Sequence, residues 1–334
     1  GTTAIMRYTL RLLATQQFQR AMRLILALEQ LRRWNLYNLG DEPISIGLFV
    51  GEDSLPNNAK SLSDECQKWN TVDDFGKRRE SKIPLDKCPC CGRPLKYQNK
   101  GTVSDPKIVF RCDNIDCTFS NELPVKLCDE YIYQNPPTLL FGTVDKFAAL
   151  GHKVSTSKVK QDSRRLFGKG GLNYLPPSLI IQDELHLLLG PLGSAVSLFE
   201  CAIDQLCSYK NDSGLIVRPK IISSTATTRN TELQIRALYD RDVSIFPKPG
   251  TDYDDSFFSF YQRKEVDGEV KFVSKRKYIG IFPTGRTHMT TQMRLIATMF
   301  VHRALFEKEY ASHLSEKDVE EAMDFYHSII DYFN

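Results

Sequence analysis

The chain has 334 residues, of which 41% are hydrophobic and 25% are charged, a composition typical of globular proteins. Lysine and arginine number 44 against 41 for aspartate and glutamate, so the net charge of +3 by itself indicates neither a nucleic-acid nor a membrane partner. No apolar run approaches the roughly 18 residues of a membrane span, and the first residues lack a signal-peptide pattern, so we expect no membrane association.

The first fifty residues predict two strands and one helix. An apolar stretch at 5–13 is typical of a strand, and apolar side chains at helical spacing predict a helix over 16–33 with Thr15 as its N-cap. A short buried strand is predicted at 44–50, before the sequence turns polar.

Three compact apolar strands are predicted further along the chain, at 138–142, 178–181 and 220–224. Each is followed by polar or helical sequence, and strands that alternate with helices indicate an α/β fold with a parallel sheet. Functional side chains in such a sheet lie just past the carboxyl ends of the strands.

The C-terminal part contains three further signals. Asp267-Gly268 between alternating flanks predicts a β-hairpin. Ser315 and Asp318 resemble a capping box that opens a helix, and 329–333 is expected to begin a strand.

Nine cysteines are distributed unevenly, and five of them fall between Cys88 and Cys117. An odd number argues against a disulfide framework, and clustered pairs together with scattered single cysteines favour a metal site in a reducing cytoplasm. Two close pairs with this spacing suit a structural Zn²⁺ held by four thiolates, with Cys90 pointing away. The alternative is a set of free structural cysteines. The predicted ligands are Cys88, Cys91, Cys112 and Cys117.

Two segments are strongly basic although the chain is almost neutral. Residues 1–33 contain six arginines and one acidic residue, and residues 151–170 contain six lysines or arginines and one acidic residue, so each segment has a net charge of +5. This pattern indicates a local surface for a polyanion. For 151–170 the alternative is a solvated flexible loop.

An acidic pair, Asp183-Glu184, directly follows the strand region at 178–181 and Gln182, with His186 two residues later. Such a pair suits nucleoside-triphosphate hydrolysis, in which one carboxylate holds Mg²⁺ and its neighbour orients the attacking water. The alternative is that both acids cap the following helix.

Four short motifs, in the expected order, resemble those of superfamily 2 helicases. The Asp-Glu-Leu-His sequence at 183–186 resembles motif II, and the Ser-Thr-Ala-Thr sequence at 224–227 is similar to motif III. Residues 142–147 look like motif Ib of the Ski2-like branch, and residues 9–11 lie where motif Ia belongs.

Longer blocks resemble one group of these proteins, the helicases of DISARM-type bacterial anti-phage systems. The blocks are 176–200 and 222–250, and the Cys-Pro-Cys-Cys-Gly motif and residues 301–310 agree with them. The resemblance covers nearly the whole chain. It implies a RecA-like parallel sheet of the P-loop NTPase type, flanked by helices and incomplete, with a four-cysteine zinc-binding insertion.

The resemblance also implies roles for residues of the nucleotide site. Asp183 would bind Mg²⁺ through water, and Glu184 would be the catalytic base. His186, Thr225 and Thr227 would couple the nucleotide site to nucleic-acid binding.

A second set of residues is expected at the nucleic acid. Arg11, Thr143 and Lys146 would lie near the phosphates of one strand, where contacts give affinity without sequence preference. The basic loop 151–170 would then be part of the same track. Its expected contact residues are Lys158, Lys160, Arg164 and Arg165.

The domain organisation follows from these motifs. We expect residues 1–51 to be the first part of lobe 1 with motif Ia, and 52–128 to be the zinc-binding insertion. Residues 129–247 would complete lobe 1 with motifs Ib, II and III. Residues 248–334 would contain the hairpin, linker helices and the start of lobe 2.

The sequence contains no Gly-x-x-x-x-Gly-Lys-Ser/Thr phosphate loop. The resemblance places that loop before Gly1 and the arginine motifs of lobe 2 after Asn334. We therefore expect a central segment of a cytoplasmic, DNA-directed translocase that uses ATP and Mg²⁺ and works with other defence-system subunits.

Two other functions stay open at this point. One is a zinc-containing nucleic-acid-binding module whose helicase-like core is inactive. The other is a metal nuclease that uses Asp183 and Glu184, although the sequence shows no evident third acidic ligand.

Overall fold

A computed structural model describes residues 1–69, 81–155, 157–225, 230–248, 251–252, 258–266, 268–273, 280–281 and 284–333. The chain divides into two compact units, Gly1–Ser244 and Ile245–Asn334. The candidate site lies in the first unit.

The first unit is built on a six-stranded parallel sheet in the order β10-β7-β1-β6-β2-β5. Four further strands of this unit form two separate two-stranded sheets, β3-β4 and β8-β9. The strands of the unit, in chain order, are β1 Ala4–Tyr8, β2 Ile46–Phe49, β3 Leu95–Asn99, β4 Ile108–Cys112, β5 Val125–Lys126, β6 Leu139–Thr143, β7 Leu179–Gln182, β8 Tyr209–Lys210, β9 Ile216–Val217 and β10 Lys220–Ser223. Its α-helices are α1 Arg11–Arg33, α2 Ala59–Trp69, α3 Asp129–Gln134, α4 Val144–Ala148, α5 Gly190–Cys207 and α6 Thr231–Tyr239. The predicted α/β class with a helix-flanked parallel sheet is confirmed.

The predicted strands at 138–142, 178–181 and 220–224 correspond to β6, β7 and β10 with shifts of at most one residue. These strands are apolar because helices cover both faces of a parallel sheet. Ile5, Leu140 and Ile180, on three adjacent strands, are each no more than 1% exposed.

Helices pack against each face of the sheet. On one face, Phe18 of α1 contacts the ring of Phe141 edge-on, with 6.2 Å between ring centroids. On the other face, Ile203 of α5 belongs to the same buried cluster as Ile5 and Ile180. The carboxyl ends of the strands remain at one edge, between these layers.

The first helix begins earlier than predicted, at Arg11 instead of 16. Leu10 is extended, and its carbonyl accepts the first helical hydrogen bond, from the amide of Ala14. The hydroxyl of Thr15 donates to the carbonyl of Arg11 inside the helix, so Thr15 is not the N-cap. The leucines at 10–13 mislead the sequence reading because leucine favours helices as well as apolar strands.

The cysteine-rich region packs onto the α1 face of the sheet. Its strands β3 and β4 form an antiparallel hairpin, and Trp69 of α2 packs edge-on against Phe110 of β4. Phe18, Leu62 and Phe110 belong to one buried cluster, so this region and the sheet share a core. Strand β5, within the range expected to be insertion, is the edge strand of the main sheet.

The second unit contains the predicted hairpin and two long helices. Strands β11 Arg263–Val266 and β12 Glu269–Phe272 pair antiparallel, while Asp267 lies outside the described residues. Helix α7 spans His288–Leu305, and α8 spans Glu316–Phe333.

The start of α8 confirms Ser315 as the N-cap of this helix, because the amide of Asp318 donates to the hydroxyl of Ser315 at 3.3 Å. The strand expected at 329–333 is wrong, since these residues continue α8. No glycine or proline interrupts the helix once the cap has started it. Among the described residues, no helix is both long and apolar enough to cross a membrane.

Candidate functional site

Four cysteine sulfurs converge where the knuckle at 88–92 meets β4. The ligand atoms of the four predicted residues all lie within 4.8 Å of one another. The Sγ atoms of Cys88 and Cys117 are 3.8 Å apart, and those of Cys91 and Cys112 are 3.3 Å apart. The four side chains can therefore hold one metal ion.

Local backbone geometry places the first pair of cysteines. Gly92 has a φ of +72°, and its amide donates to the carbonyl of Cys88 at 2.8 Å, which closes the tight turn. The amide of Cys88 donates to the carbonyl of Arg93. Cys90 points out of the cluster, with its Sγ 3.7 Å from Oε1 of Gln30, as the spacing predicts.

The surroundings of the cysteines lower the pKa of one thiol and raise the pKa of two others. A backbone N–H at Arg93 stabilises the thiolate of Cys91 and lowers its pKa to about 7. Burial raises the pKa of Cys112 to about 11 and also raises that of Cys117. A soft cation that binds thiolates would supply the positive charge that the buried sulfurs lack, which fits Zn²⁺.

The acidic pair forms a tight turn directly after β7. Glu184 has a φ of +51°, a left-handed conformation that costs about 1–3 kcal/mol for a residue with a side chain. Its own amide donates to Oδ1 of Asp183 at 3.0 Å, and the amide of Leu185 donates to the carbonyl of Ser224 at 2.9 Å. These bonds hold the turn against the neighbouring strand end.

Polar side chains from the end of β10 join the acidic turn. The hydroxyl of Ser224 donates to Oδ1 of Asp183. His186 lies between two groups, with its Nδ1 3.2 Å from Oε2 of Glu184 and 3.5 Å from Oγ1 of Thr225. The structure thus brings together four of the predicted residues, and Thr227 lies outside the described part of the chain.

Two residues of this site are missing from the predicted set. Ser224 stands in the motif at 224–227, but sequence reasoning selected only the threonines. Gln234 of α6 donates from Nε2 to the carbonyls of Leu185 and Leu188, at 2.8 and 3.0 Å. These bonds tie α6 to the acidic turn. No sequence pattern marks Gln234, because its partners are backbone groups distant along the chain.

Three residues expected at the nucleic acid are instead held inside the structure. Thr143 is 1% exposed. Lys146 forms an ion pair with Asp129 at 2.8 Å, and its side chain is 11% exposed. Arg165 is 8% exposed and donates to three backbone carbonyls. Those carbonyls belong to Tyr133, Gln134 and Gly170.

The other four expected residues reach the surface. Lys158 is exposed, while Arg11 forms an ion pair with Asp53 at 3.2 Å and is about half exposed. Arg164 binds Asp162 through two hydrogen bonds of 2.8 Å, and Lys160 pairs with Asp105. Acidic partners therefore reduce the free positive charge of the loop 151–170.

A cavity of about 390 Å³ opens between this loop, α3 and the segment after β2. Its walls carry both signs of charge, with Glu52 and Glu130 facing Lys153 and Lys160. Burial raises the pKa of Asp129 in this wall to about 6, against the attraction of Lys146. The cavity is thus not a uniformly basic surface.

Comparison with known proteins finds a relative that aligns with the whole chain. The chain is 32% identical to DISARM protein DrmA of Bacillus paralicheniformis over 367 aligned positions. The chain is similar to a DISARM protein. The alignment includes 100% of this chain but 31% of DrmA, so the chain spans about a third of that relative's length. No protein-family profile matches the chain.

The metal-nuclease alternative gains no support from the site. Among the described residues, only the four cysteines form a group of at least three metal-binding side chains that lie close enough to share an ion. No third carboxylate therefore joins Asp183 and Glu184 in the part of the chain that the structure describes.

Proposed function

We propose that this chain is the central segment of an ATP-dependent superfamily 2 helicase or translocase that acts on DNA in phage defence. The observation that supports this most is the meeting of Asp183 and Glu184, past the end of β7, with Ser224 and Thr225, past the end of β10. Open parallel sheets bind ligands at this edge.

The similarity to DISARM protein DrmA supports the defence context, and with it other subunits of such a system as partners. Because the chain covers 31% of that relative, ATP hydrolysis and translocation are proposed for the whole protein. The RecA-like, P-loop NTPase assignment of the parallel sheet belongs to the same proposal.

The acidic turn has the chemistry that nucleotide hydrolysis needs. Carboxylate oxygens are the ligands Mg²⁺ prefers, and two hydrogen bonds to Oδ1 fix the carboxylate of Asp183. When bound, Mg²⁺ would neutralise charge on the phosphates of ATP. Glu184, with its side chain 35% exposed, can orient a water and accept its proton.

His186 and Thr225 link this turn to the next strand. The imidazole contacts both Glu184 and Thr225, so a change in the position of Glu184 is transmitted to the segment that follows β10. Gln234 connects the same turn to α6. We propose that this path couples the nucleotide state to the position of the nucleic-acid strand.

We propose that the contacts to the nucleic acid come from those predicted basic side chains that reach the surface. Arg11, Lys158 and Arg164 can reach phosphates from the surface, with Lys160 after release from Asp105. Thr143, Lys146 and Arg165 would act by holding the strand ends and the loop in place. Phosphate contacts of this kind bind DNA without sequence preference.

The cysteine cluster is proposed as a structural Zn²⁺ site. Four thiolates fill a tetrahedral coordination sphere and leave no position for a reacting water. Cys88, Cys112 and Cys117 belong to the same buried core as α1, while Cys91 is exposed, so the proposed role of the site is to hold the region at 81–128 against the sheet.

A Glu184→Gln substitution in the full-length protein tests the function. We expect DNA-stimulated ATP hydrolysis to fall by at least about 100-fold, because the amide cannot accept a proton from water. Glu232→Gln, an exposed change on α6, is the matched control and should leave the rate unchanged. Wild-type hydrolysis in the Glu184→Gln protein would show that the assigned base is wrong.

One observation favours the second candidate, a zinc-containing nucleic-acid-binding module with an inactive core. The carboxylate of Glu184 already has a partner, the imidazole of His186 at 3.2 Å. This candidate predicts that the wild-type full-length protein binds DNA but shows no DNA-stimulated ATP hydrolysis. The same assay therefore separates the two functions.

A further inference from the structure

A row of polar side chains crosses three strands, directly before the acidic turn that follows β7. Arg7 on β1, Gln182 on β7 and Ser223 on β10 are register partners in parallel strands. Their side chains therefore point to the same face of the sheet. Arg7 is 1% exposed and Gln182 is 0% exposed, so this face buries a charge and an amide.

The charge of Arg7 is compensated from the helix layer. Glu200 of α5 is 3% exposed and forms an ion pair with Nη1 of Arg7. A buried pair of this kind contributes little net stability compared with apolar side chains of the same volume. The presence of the pair is therefore better explained by orientation of its neighbours than by stability.

Arg7 has donors beyond those used by Glu200. Within the described residues, its Nε and Nη2 are buried without a hydrogen-bond partner, and so is Oε1 of the adjacent Gln182. Two donors and one acceptor are complementary, and an unpaired buried polar atom costs about 1–3 kcal/mol. Gln182, the register partner of Arg7 on the same face, offers the guanidinium a neighbouring acceptor, and the Tyr239 hydroxyl lies by the same guanidinium.

The other end of the Gln182 amide reaches the acidic turn. Its Nε2 donates to the carbonyl of Asp183 at 2.9 Å. That carbonyl belongs to the peptide that leads into Glu184, the residue with a φ of +51°. The backbone of Arg7 contributes as well, because its carbonyl accepts from the amide of Asp183 at 3.0 Å.

We propose that Gln182, oriented by the buried guanidinium of Arg7, is a positioning residue that holds the Asp183-Glu184 turn in its left-handed conformation. This inference rests on the proposed function of the turn. Gln182 touches neither nucleotide nor water. It acts by fixing the peptide on which the two carboxylates depend.

The first test is Gln182→Leu in the full-length protein. Misplacement of a catalytic group by about 1 Å costs about 100-fold in rate. We expect kcat for DNA-stimulated ATP hydrolysis to fall about 10- to 100-fold while KM for ATP changes by less than about twofold. Gln205→Leu, an exposed glutamine on α5, is the control and should keep wild-type kcat.

A second pair of variants tests the role of Arg7. Arg7→Lys keeps the positive charge opposite Glu200 and removes the other guanidinium donors, so the fold should be retained while kcat falls. If Arg7 acts through Gln182, the double variant Arg7→Lys/Gln182→Leu should be no slower than Gln182→Leu alone. Additive losses would overturn this part of the inference.

Hydrogen–deuterium exchange provides a readout that does not depend on hydrolysis. We expect faster exchange at the amides of residues 183–188 in Gln182→Leu, and no change in Gln205→Leu. Should Gln182→Leu not fold, Gln182→Met is the replacement, since it keeps the length of the side chain. Wild-type exchange and wild-type kcat in either folded Gln182 variant would overturn the proposal.

These outcomes are distinct from failure of the proposed function. If Glu184→Gln retains hydrolysis, the assigned base is wrong, and exchange alone decides whether Gln182 holds the turn. If Glu184→Gln abolishes hydrolysis while Gln182→Leu is unaffected, only the positioning role fails.

Discussion

The hydroxyl of Ser224 donates a hydrogen bond to Oδ1 of Asp183, although 41 positions separate the two residues in the chain. Parallel pairing of β10 with β7 places the two strand ends side by side and makes the bond possible. The same oxygen accepts the amide of Glu184. One carboxylate oxygen therefore joins both strand ends.

Ser224→Ala should impair the site without unfolding the protein. Loss of this bond frees the carboxylate of Asp183, so we expect DNA-stimulated ATP hydrolysis by the full-length protein to fall about tenfold, equivalent to about 1.4 kcal/mol. The apparent KM for Mg²⁺ should rise. Steady-state assays at several Mg²⁺ concentrations measure both, with Ser194→Ala on α5 as an exposed control. Unchanged Mg²⁺ dependence would mean that Ser224 does not orient Asp183.

Cys112→Ser should remove the bound metal and lower the melting temperature by several degrees. Three thiolates hold Zn²⁺ more weakly than four, and the binding free energy contributes to folding. Cys90→Ser is the matched control, because Cys90 points out of the cluster, and it should retain one Zn²⁺ per chain. Elemental analysis and thermal unfolding, with and without a chelator, give the result. Full zinc content in Cys112→Ser would exclude the four-thiolate site.

Adjacent arginines of the basic loop should behave differently. Arg165→Ala removes hydrogen bonds to three backbone carbonyls and should lower the free energy of unfolding by about 2–4 kcal/mol. Arg164→Glu should weaken binding to single-stranded DNA, because the Arg164 side chain is about one-third exposed and could reach a phosphate. It should also cost some stability, because the buried carboxylate of Asp162 would lose its partner.

Urea unfolding and DNA titrations at several salt concentrations separate these two effects. If Arg164 contacts a phosphate as proposed, Arg164→Glu should also flatten the salt dependence of binding. Equal DNA affinity of the Arg164→Glu and wild-type proteins would show that Arg164 makes no contact with DNA.

Asp129 should make stability depend on pH between about 4 and 6. Its pKa is raised to about 6 by burial, above its value of about 3.9 in an unfolded chain. In this window the folded state binds more protons than the unfolded state, so the free energy of unfolding falls as the pH rises. Below about pH 4 Asp129 is protonated in both states, so its contribution to the free energy of unfolding is at its maximum and no longer changes with pH.

Asp129→Asn should remove this contribution and flatten the pH profile in that window, although loss of the partner of Lys146 lowers stability overall. Urea unfolding at pH 4, 5, 6 and 7 gives the two profiles. Asp145→Asn, an exposed carboxylate on α4, should reproduce the wild-type slope. Parallel profiles for Asp129→Asn and wild type would exclude Asp129 as the titrating group.

The sequence determined the features that depend on local pattern. Compact apolar runs predicted the strands of the sheet because such runs are buried between two helix layers. The spacing of four cysteines predicted the cysteine cluster because each tight turn brings two sulfurs to one side. The position of the acidic pair at the edge of the sheet could also be predicted, because the pair directly follows the apolar run that forms β7.

Tertiary structure decided which polar side chains reach the surface and which are held inside by partners. Sequence gives Lys146 and Arg165 the same charge as Arg164, but burial and partners distant in the chain determine that the first two are held inside. Ser224 and Gln234 act through a carboxylate and carbonyls supplied by other segments, and no local pattern records such partners. Strand order brought these segments together, and strand order depends on long-range pairing that the neighbours of a residue in the sequence do not encode.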